Sequence, residues 1–211
     1  MVRHTLVEDG PPVTSLSVLA AAIDACRRCP LYKHATQGVP GEGSRRADLM
    51  LVGEQPGDKE DLAGKPFVGP AGLLLDRALA DAGVDRRQVF VTNAVKHFKH
   101  EMRGKRRLHK RPNSYEIERC RWWLERELAI VKPEVVMALG ATAARSLFGR
   151  PMAIGKNRGH ELHLDDGTRA FITIHPSALL RIEERADKER EYHAFVADLR
   201  RAAASLRRRA A

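Results

Sequence analysis

The stretch Leu49-Met-Leu-Val-Gly-Glu-Gln-Pro-Gly-Asp-Lys-Glu-Asp-Leu-Ala-Gly-Lys-Pro-Phe-Val-Gly-Pro-Ala-Gly72 decides how the rest of the chain is organised. Its opening, Asp48 to Val52, is a short apolar run stopped by Gly53, which predicts a buried strand. Beyond it, Gly53, Pro56, Gly57, Gly64, Pro66, Gly69 and Pro70 interrupt the chain too often for regular structure, so a long irregular loop is expected. From Gly72 onward, Leu73, Leu74, Leu75, Ala78, Leu79 and Ala82 fall at helical spacing, and Gly83 closes the helix. A strand, a loop carrying Glu54, Gln55, Asp58, Glu60 and Asp61, and a helix place several acids at the carboxyl end of a sheet. Open α/β folds bind ligands there. A polar connecting loop would show the same acids. Phe67 argues for more, because Pro66 and Gly69 hold its ring rigidly, as a stacking platform for a flat ligand requires.

Downstream, Val89 to Val95 reads as a second strand ending at Asn93, followed by a charged stretch, Lys96 to Arg111, with no hydrophobic period. Asn113, with Glu116 three residues on, caps a helix running through Ile117, Cys120, Trp123, Leu124 and Leu128. Val135 to Leu139 is a third strand, turned by Gly140 and Thr142 into a helix ending at Phe148-Gly149. Ala170 to Ile174 is a further strand running into His175-Pro176-Ser177, and a helix is expected from about Asp187 to the C-terminus. Upstream, residues 1–13 read as a loose lead. Ser15 then caps a helix through Leu16, Leu19, Ala22 and Ile23 that delivers Cys26 and Cys29, and a loop covers Gln37 to Arg46. Strand and helix alternate with crossovers long enough for parallel pairing. This predicts one domain, a three-layer α/β/α sandwich with a central, mostly parallel sheet. Glu54, Asn93 and His175 each follow a strand, which is the geometry of a single pocket.

The 211 residues, 43% hydrophobic, contain no apolar run long enough to span a bilayer. The N-terminus has no apolar core of a secretory signal, so a cytoplasmic protein is expected, and nothing in the sequence suggests more than a monomer. The net charge of +10 and a pI near 9.9 point to a polyanionic partner, nucleic acid first. Three cysteines, two of them as Cys26-Arg-Arg-Cys29, favour metal binding over a disulfide framework. Cys120 is a third ligand candidate, and residue types alone leave zinc and iron–sulfur both open.

Gly53-Glu54-Gln55-Pro56-Gly57-Asp58, followed by Gly64-Lys65-Pro66-Phe67-Val68-Gly69-Pro70-Ala71-Gly72, resembles the first signature of the iron–sulfur uracil-DNA glycosylases (family four). His175-Pro176-Ser177-Ala178-Leu179-Leu180-Arg181 resembles the second signature of that superfamily, and the likeness runs from about Cys26 to about Arg181. The resemblance implies excision of uracil from DNA, preferably single-stranded, and a [4Fe–4S] cluster. It makes Asn93 the amide that reads uracil and His175 the donor to the departing base. Gln55 and Phe67 would line the uracil pocket with Gly53 among the substrate-binding residues and Asp58 supporting the loop, and Arg181 and the backbone near Ser177 would grip the DNA.

Three departures qualify it. Gln55 stands where the family usually has Ala. The loop Lys105-Arg106-Arg107-Leu108-His109, which alone reads as a solvated basic run touching phosphates, resembles the Lys-Arg-Arg-Ile-His loop of the DNA-crosslinking UdgX group. That likeness implies a covalent bond from His109 to C1′ of the abasic sugar, with Glu54 orienting the imidazole. The alternatives are a turnover glycosylase using water and a non-catalytic iron–sulfur DNA-binding protein. Lys96-His97-Phe98-Lys99 stands where the family has Lys-Cys-Arg-Pro, which implies His97 as fourth cluster ligand, with His34 as the other candidate. Arg200, Arg201 and Arg207 to Arg209 form a basic tail that would add affinity for phosphate.

Overall fold

The computed structural model describes residues 15–207. In chain order the first half holds helix α1 (Leu16–Asp24), strand β1 (Leu49–Gly53), helices α2 (Asp58–Ala63) and α3 (Pro70–Ala82), and strands β2 (Val89–Asn93), β3 (His100–Arg103) and β4 (Arg106–His109). The second half holds helix α4 (Ser114–Val131), strand β5 (Val135–Leu139), helices α5 (Ala141–Phe148) and α6 (Ile154–Asn157), strands β6 (Leu162–His163) and β7 (Arg169–Thr173), and helices α7 (Pro176–Leu180) and α8 (Arg185–Arg207). The main sheet has the order β2-β1-β5-β7-β6, with the first four strands parallel and β6 antiparallel at the edge.

Every residue of β1, β2 and β5 is buried, the unbroken pattern of strands covered on both faces. Alternate side chains serve opposite layers. Leu49, Leu51, Val91, Met137 and Phe171 pack with Leu75 and Leu79 of α3 and Phe195 and Leu199 of α8. Met50, Val52, Phe90, Val136 and Ile172 pack with Leu124 of α4 and Ala144 and Leu147 of α5. The result is the three-layer α/β/α sandwich that the alternation of elements predicts. A smaller core, with Leu19, Ile23 and the three cysteines, joins α1 to α4.

Two stretches differ from expectation. The loop after β1 contains α2, because its glycines mark the helix ends rather than interrupt it. Gly57 precedes the first turn, Gly64 closes the last at φ 68°, and Asp58, Glu60 and Asp61 occupy the first turn, where the helix dipole favours acids. The charged stretch after β2 holds an antiparallel hairpin of β3 and β4, turned at Gly104-Lys105 with Gly104 at φ 60°. Its strands carry no apolar alternation because their inward face is polar.

Smaller differences lie at element edges. α3 starts two residues early, with Pro70 in its first turn, and α8 starts at Arg185. The short α6 and β6 have no counterpart in the sequence reading. Ser15 caps α1 as expected, accepting from Val18 N–H at 3.3 Å. Arg200 and Arg201 are tied down within α8, to the Asp81 carbonyl and to Asp198. The expected lead (residues 1–13) and Arg208 and Arg209 lie outside the described residues, as does the side chain of Arg207. Among the described residues no helix is long and apolar enough to cross a membrane.

Candidate active site

The carboxyl ends of β1, β2, β5 and β7 open into a cleft of about 850 Å³, whose walls include Glu54, Phe67, Asn93, His109, His175 and Arg181. The register of β1 and β2 sets Gly53 beside Asn93. A Cβ on Gly53 would stand 2.4 Å from Asn93 Oδ1 and 2.7 Å from Phe67 Cζ, so glycine is what lets the amide and the ring meet there. Phe67 holds a left-handed φ of 56°, and a Cβ on Gly72 would lie 1.7 Å from its carbonyl oxygen. Glu60, buried, clamps the surrounding loop: its Oε1 accepts from Gly69 N–H at 2.6 Å and its Oε2 from Gly57 N–H at 3.1 Å. The Asn93 carbonyl accepts from Lys96 Nζ at 2.7 Å, while its side-chain amide has no partner among the described residues.

His175 ends β7 and caps α7. Its Nδ1 accepts from Ser177 N–H at 3.1 Å and lies 2.8 Å from Ser177 Oγ. An N–H donating to Nδ1 requires the neutral ring to carry its proton on Nε2, as a donor toward the cleft. Burial, opposed by the Glu54 charge and aided by His109 and Arg181, pushes its pKa down to about 4, so the ring is neutral near neutral pH. Ser177 was expected to offer its backbone to DNA; its N–H is instead spent on orienting His175.

Glu54 and His109 meet at the cleft mouth, with Nε2 3.3 Å from Glu54 Oε1. The other oxygen, Oε2, accepts from Thr142 Oγ1 at 2.5 Å and lies 3.8 Å from Arg111 Nε. Burial alone would raise the Glu54 pKa. Hydrogen bonds from His109 and Thr142, with the electrostatic influence of the two neighbouring imidazoles, outweigh burial and hold it below the usual carboxylate value.

Gln55 lines the cleft as expected, and Arg107 takes a position other than the one expected. The Gln55 amide is engaged by the hairpin: it donates to the Lys99 carbonyl at 3.0 Å and the Lys110 carbonyl at 3.3 Å, and accepts from Lys99 N–H at 3.1 Å. It therefore staples the two ends of the hairpin that carries His109. Arg107 turns inward to Asp58 at 2.5 Å and Asp61 at 2.6 Å, so Asp58 anchors the hairpin and the Arg107 guanidinium is paired within the protein. Lys105 and Arg106 are exposed at the turn, and Arg181 is exposed at the cleft rim.

Cys26, Cys29 and Cys120 are buried, unpaired and close enough for Cys26 and Cys29 to act on the ionisation of Cys120. Burial pushes the Cys120 thiol up to about 12 and raises that of Cys29. Bound iron would reverse that by stabilising the thiolates. N–H groups already face the sulfurs: Trp123 Nε1 at 3.1 Å and Arg28 N at 3.4 Å from Cys26, and Lys96 N at 3.2 Å from Cys120. Among the described residues no three potential ligands are gathered tightly enough for a single metal ion. His97 is buried, and burial, followed by the Arg27 charge, keeps its imidazole neutral. His34 is exposed.

The sequence reading gives Glu60 only as one loop acid and Thr142 only as a helix-start residue, and it does not mention the Lys96–Glu127 pair. Thr142 follows a strand end as Glu54, Asn93 and His175 do, and that position is the signal that could have found it. Lys96 is fully buried, its ammonium held by Glu127 at 2.7 Å, Thr92 at 2.6 Å and the Asn93 carbonyl.

A parallel sheet whose strand ends bring a ring, an unused amide, a neutral imidazole and a carboxylate to one cleft has the architecture of an α/β enzyme. Comparison with known proteins narrows the class. The Uracil DNA glycosylase superfamily matches residues 40–200. The Type-4 uracil-DNA glycosylase of Pyrobaculum aerophilum is 38% identical over 177 residues, 79% of this chain and 85% of the relative. That of Thermotoga maritima is 36% identical over 168 residues, 79% of this chain and 83% of the relative. The Type-5 uracil-DNA glycosylase of Pyrobaculum aerophilum is 30% identical over 177 residues, 75% of this chain and 74% of the relative. The chain belongs to the uracil-DNA glycosylase superfamily and is similar to its type-4 members.

Proposed function

We propose that the chain excises uracil from DNA. The observation that carries this is the convergence of the free Asn93 amide, the Phe67 ring and His175 on one cleft. Uracil has an N–H between two carbonyls. An amide can accept from that N–H and donate to the neighbouring oxygen, a pattern cytosine does not match. As the bond from C1′ to the base breaks, its electron pair leaves with uracil and negative charge gathers on the carbonyl oxygen beside N1. His175 Nε2–H is the donor for that oxygen, and a fixed donor of this kind contributes about 3 kcal/mol. The sugar is left cationic, and the ionised Glu54 carboxylate stabilises it from the cleft mouth. The base must be out of the stack to enter, which suits single-stranded or flipped-out uracil. Lys105, Arg106 and Arg181 supply exposed charge for the phosphates.

Two groups can then add to C1′. Similarity to the type-4 glycosylases supports water, giving free abasic DNA and repeated turnover. A second reading is favoured by the Glu54–His109 contact and by the likeness of the loop to that of the UdgX group. With Nε2–H donated to Glu54, the Nδ1 lone pair is free to bond C1′, and the proton on Nε2 is then lost to Glu54 or solvent. The enzyme would remain attached to DNA.

Cys26, Cys29 and Cys120 would hold three corners of a [4Fe–4S] cluster, with His97 as the fourth ligand and His34 as the alternative. Bound there, the cluster would tie the end of α1 to α4 as a structural staple.

Incubation with a uracil-containing single-stranded oligonucleotide tests the whole reading. Released uracil is expected from the wild type, and its absence would leave only DNA binding. An adduct surviving denaturing electrophoresis, lost in His109→Ala and mapped by mass to His109, supports capture; multiple turnovers without adduct support water. Iron analysis and broad visible absorbance lost in Cys120→Ser test the cluster.

A further inference from the structure

Glu54 has two oxygens and two different neighbours, and the buried Thr142 decides which oxygen faces which. Its Oγ1 is 2.5 Å from Oε2, while Oε1 is left to His109 Nε2 at 3.3 Å. The hydroxyl is fixed by the fold. Thr142 is in the first turn of α5, directly after β5, and Gly140, at φ 93°, makes that turn so tight that its Cβ would lie 3.2 Å from the Cβ of His175. The first turn of α5 is therefore wedged between the two candidate catalytic groups, Glu54 and His175. Arg111 Nε, 3.5 Å from Thr142 Oγ1, faces a lone pair of that oxygen and leaves its hydrogen to point at Glu54.

We propose that Thr142 is a positioning residue for Glu54, fixing one carboxylate oxygen so that the other faces the group that adds to C1′, whether His109 or water. This rests on the reading that ionised Glu54 takes part in uracil excision. The titratable and charged groups facing Glu54 are His109 from β4, Arg111 just beyond it and His175 from the end of β7. Removing the Thr142 donor leaves these in place and takes away one hydrogen bond that is stronger to the ionised form. The Glu54 pKa must then rise, so activity fails at a higher pH on the acid side, while the alkaline side is unmoved.

The test is single-turnover release of uracil from a single-stranded uracil oligonucleotide by wild type, Thr142→Val and Thr142→Ser, from about pH 5 to 9. Val keeps the shape without the donor, and Ser keeps the donor. Thr142→Val is expected to be about 10- to 100-fold slower at neutral pH, with its acid limb about one pH unit higher. Thr142→Ser is expected to restore both. Thr142→Ala, which only removes atoms, takes the place of the Val variant should that not fold. A donor-free variant with wild-type rate and acid limb overturns the proposal, as does a Ser variant as slow as Val. Failure of the underlying reading looks different, since wild type itself would then release no uracil.

Discussion

Arg107 tethers the hairpin to α2, and its removal asks whether His109 reaches the cleft only because that tether holds. The guanidinium meets Asp58 at 2.5 Å and Asp61 at 2.6 Å, donates to Thr36 Oγ1 at 3.1 Å and lies 5.5 Å from the centroid of the Phe98 ring. The two ion pairs differ in worth. The Asp58 side chain is 49% exposed, so that pair contributes less than about 1 kcal/mol. Asp61 is fully buried, and deleting one partner of a buried pair costs about 3–5 kcal/mol. Part of this is offset, because Thr36 N–H still donates to both Asp61 oxygens, at 3.0 and 3.1 Å. Arg107→Ala should therefore cost about 2–3 kcal/mol, which lowers Tm by roughly 4–12 °C for a chain of this size.

The functional effect should be more selective. Gln55 still staples the hairpin at its base, so β3 and β4 swing away as a unit and carry His109 from Glu54 while Asn93, Phe67 and His175 stay put. Uracil release is expected within a few-fold of wild type, and any His109-dependent adduct is expected to vanish. Thermal melts, uracil release and adduct yield from one preparation measure all three. Arg107→Ala with wild-type Tm and adduct yield would refute both the energetic argument and the tether.

Two other substitutions follow from the geometry. Gly53→Ala pushes a Cβ against Asn93 Oδ1 and Phe67 Cζ, and uracil release should fall by more than about 100-fold while Tm changes little; full activity would show that the amide and ring do not read the base. His175 contributes a pH dependence of stability. Its pKa is pushed down to about 4 by burial, whereas the unfolded chain takes up the proton near 6.5. Its stabilisation is therefore complete above about pH 6.5 and lost as the pH falls toward about 4. His175→Gln should flatten Tm against pH in that window, and an unchanged slope would place the acid sensitivity elsewhere.

What the sequence discloses and what it conceals divide along a physical line. β1, β5 and the α4 cap are legible because a strand buried on both faces must be apolar throughout, and because the pairing of Asn113 with Glu116 needs only adjacent residues. Glu54, Asn93, Phe67 and His175 are legible because each follows or flanks an element end, and strand ends share one edge of a parallel sheet. α2 is hidden by glycines that serve as its caps, and the hairpin by strands whose inner face buries charge instead of hydrocarbon.

The roles least visible in advance belong to side chains whose partner is far along the chain. Gln55 stands out as a departure from the family pattern, but its work is done on Lys99 and Lys110, 44 and 55 residues away. Arg107 reads as one cation in a basic run. Only folding shows that Asp58 and Asp61, one helical turn apart on α2, are spaced to receive both arms of its fork. The run Lys105-Arg106-Arg107 therefore splits by face. Two side chains stay exposed, and the third is spent tying the hairpin that carries His109 to α2. A charge count gives all three the same role, and the pairing geometry separates them.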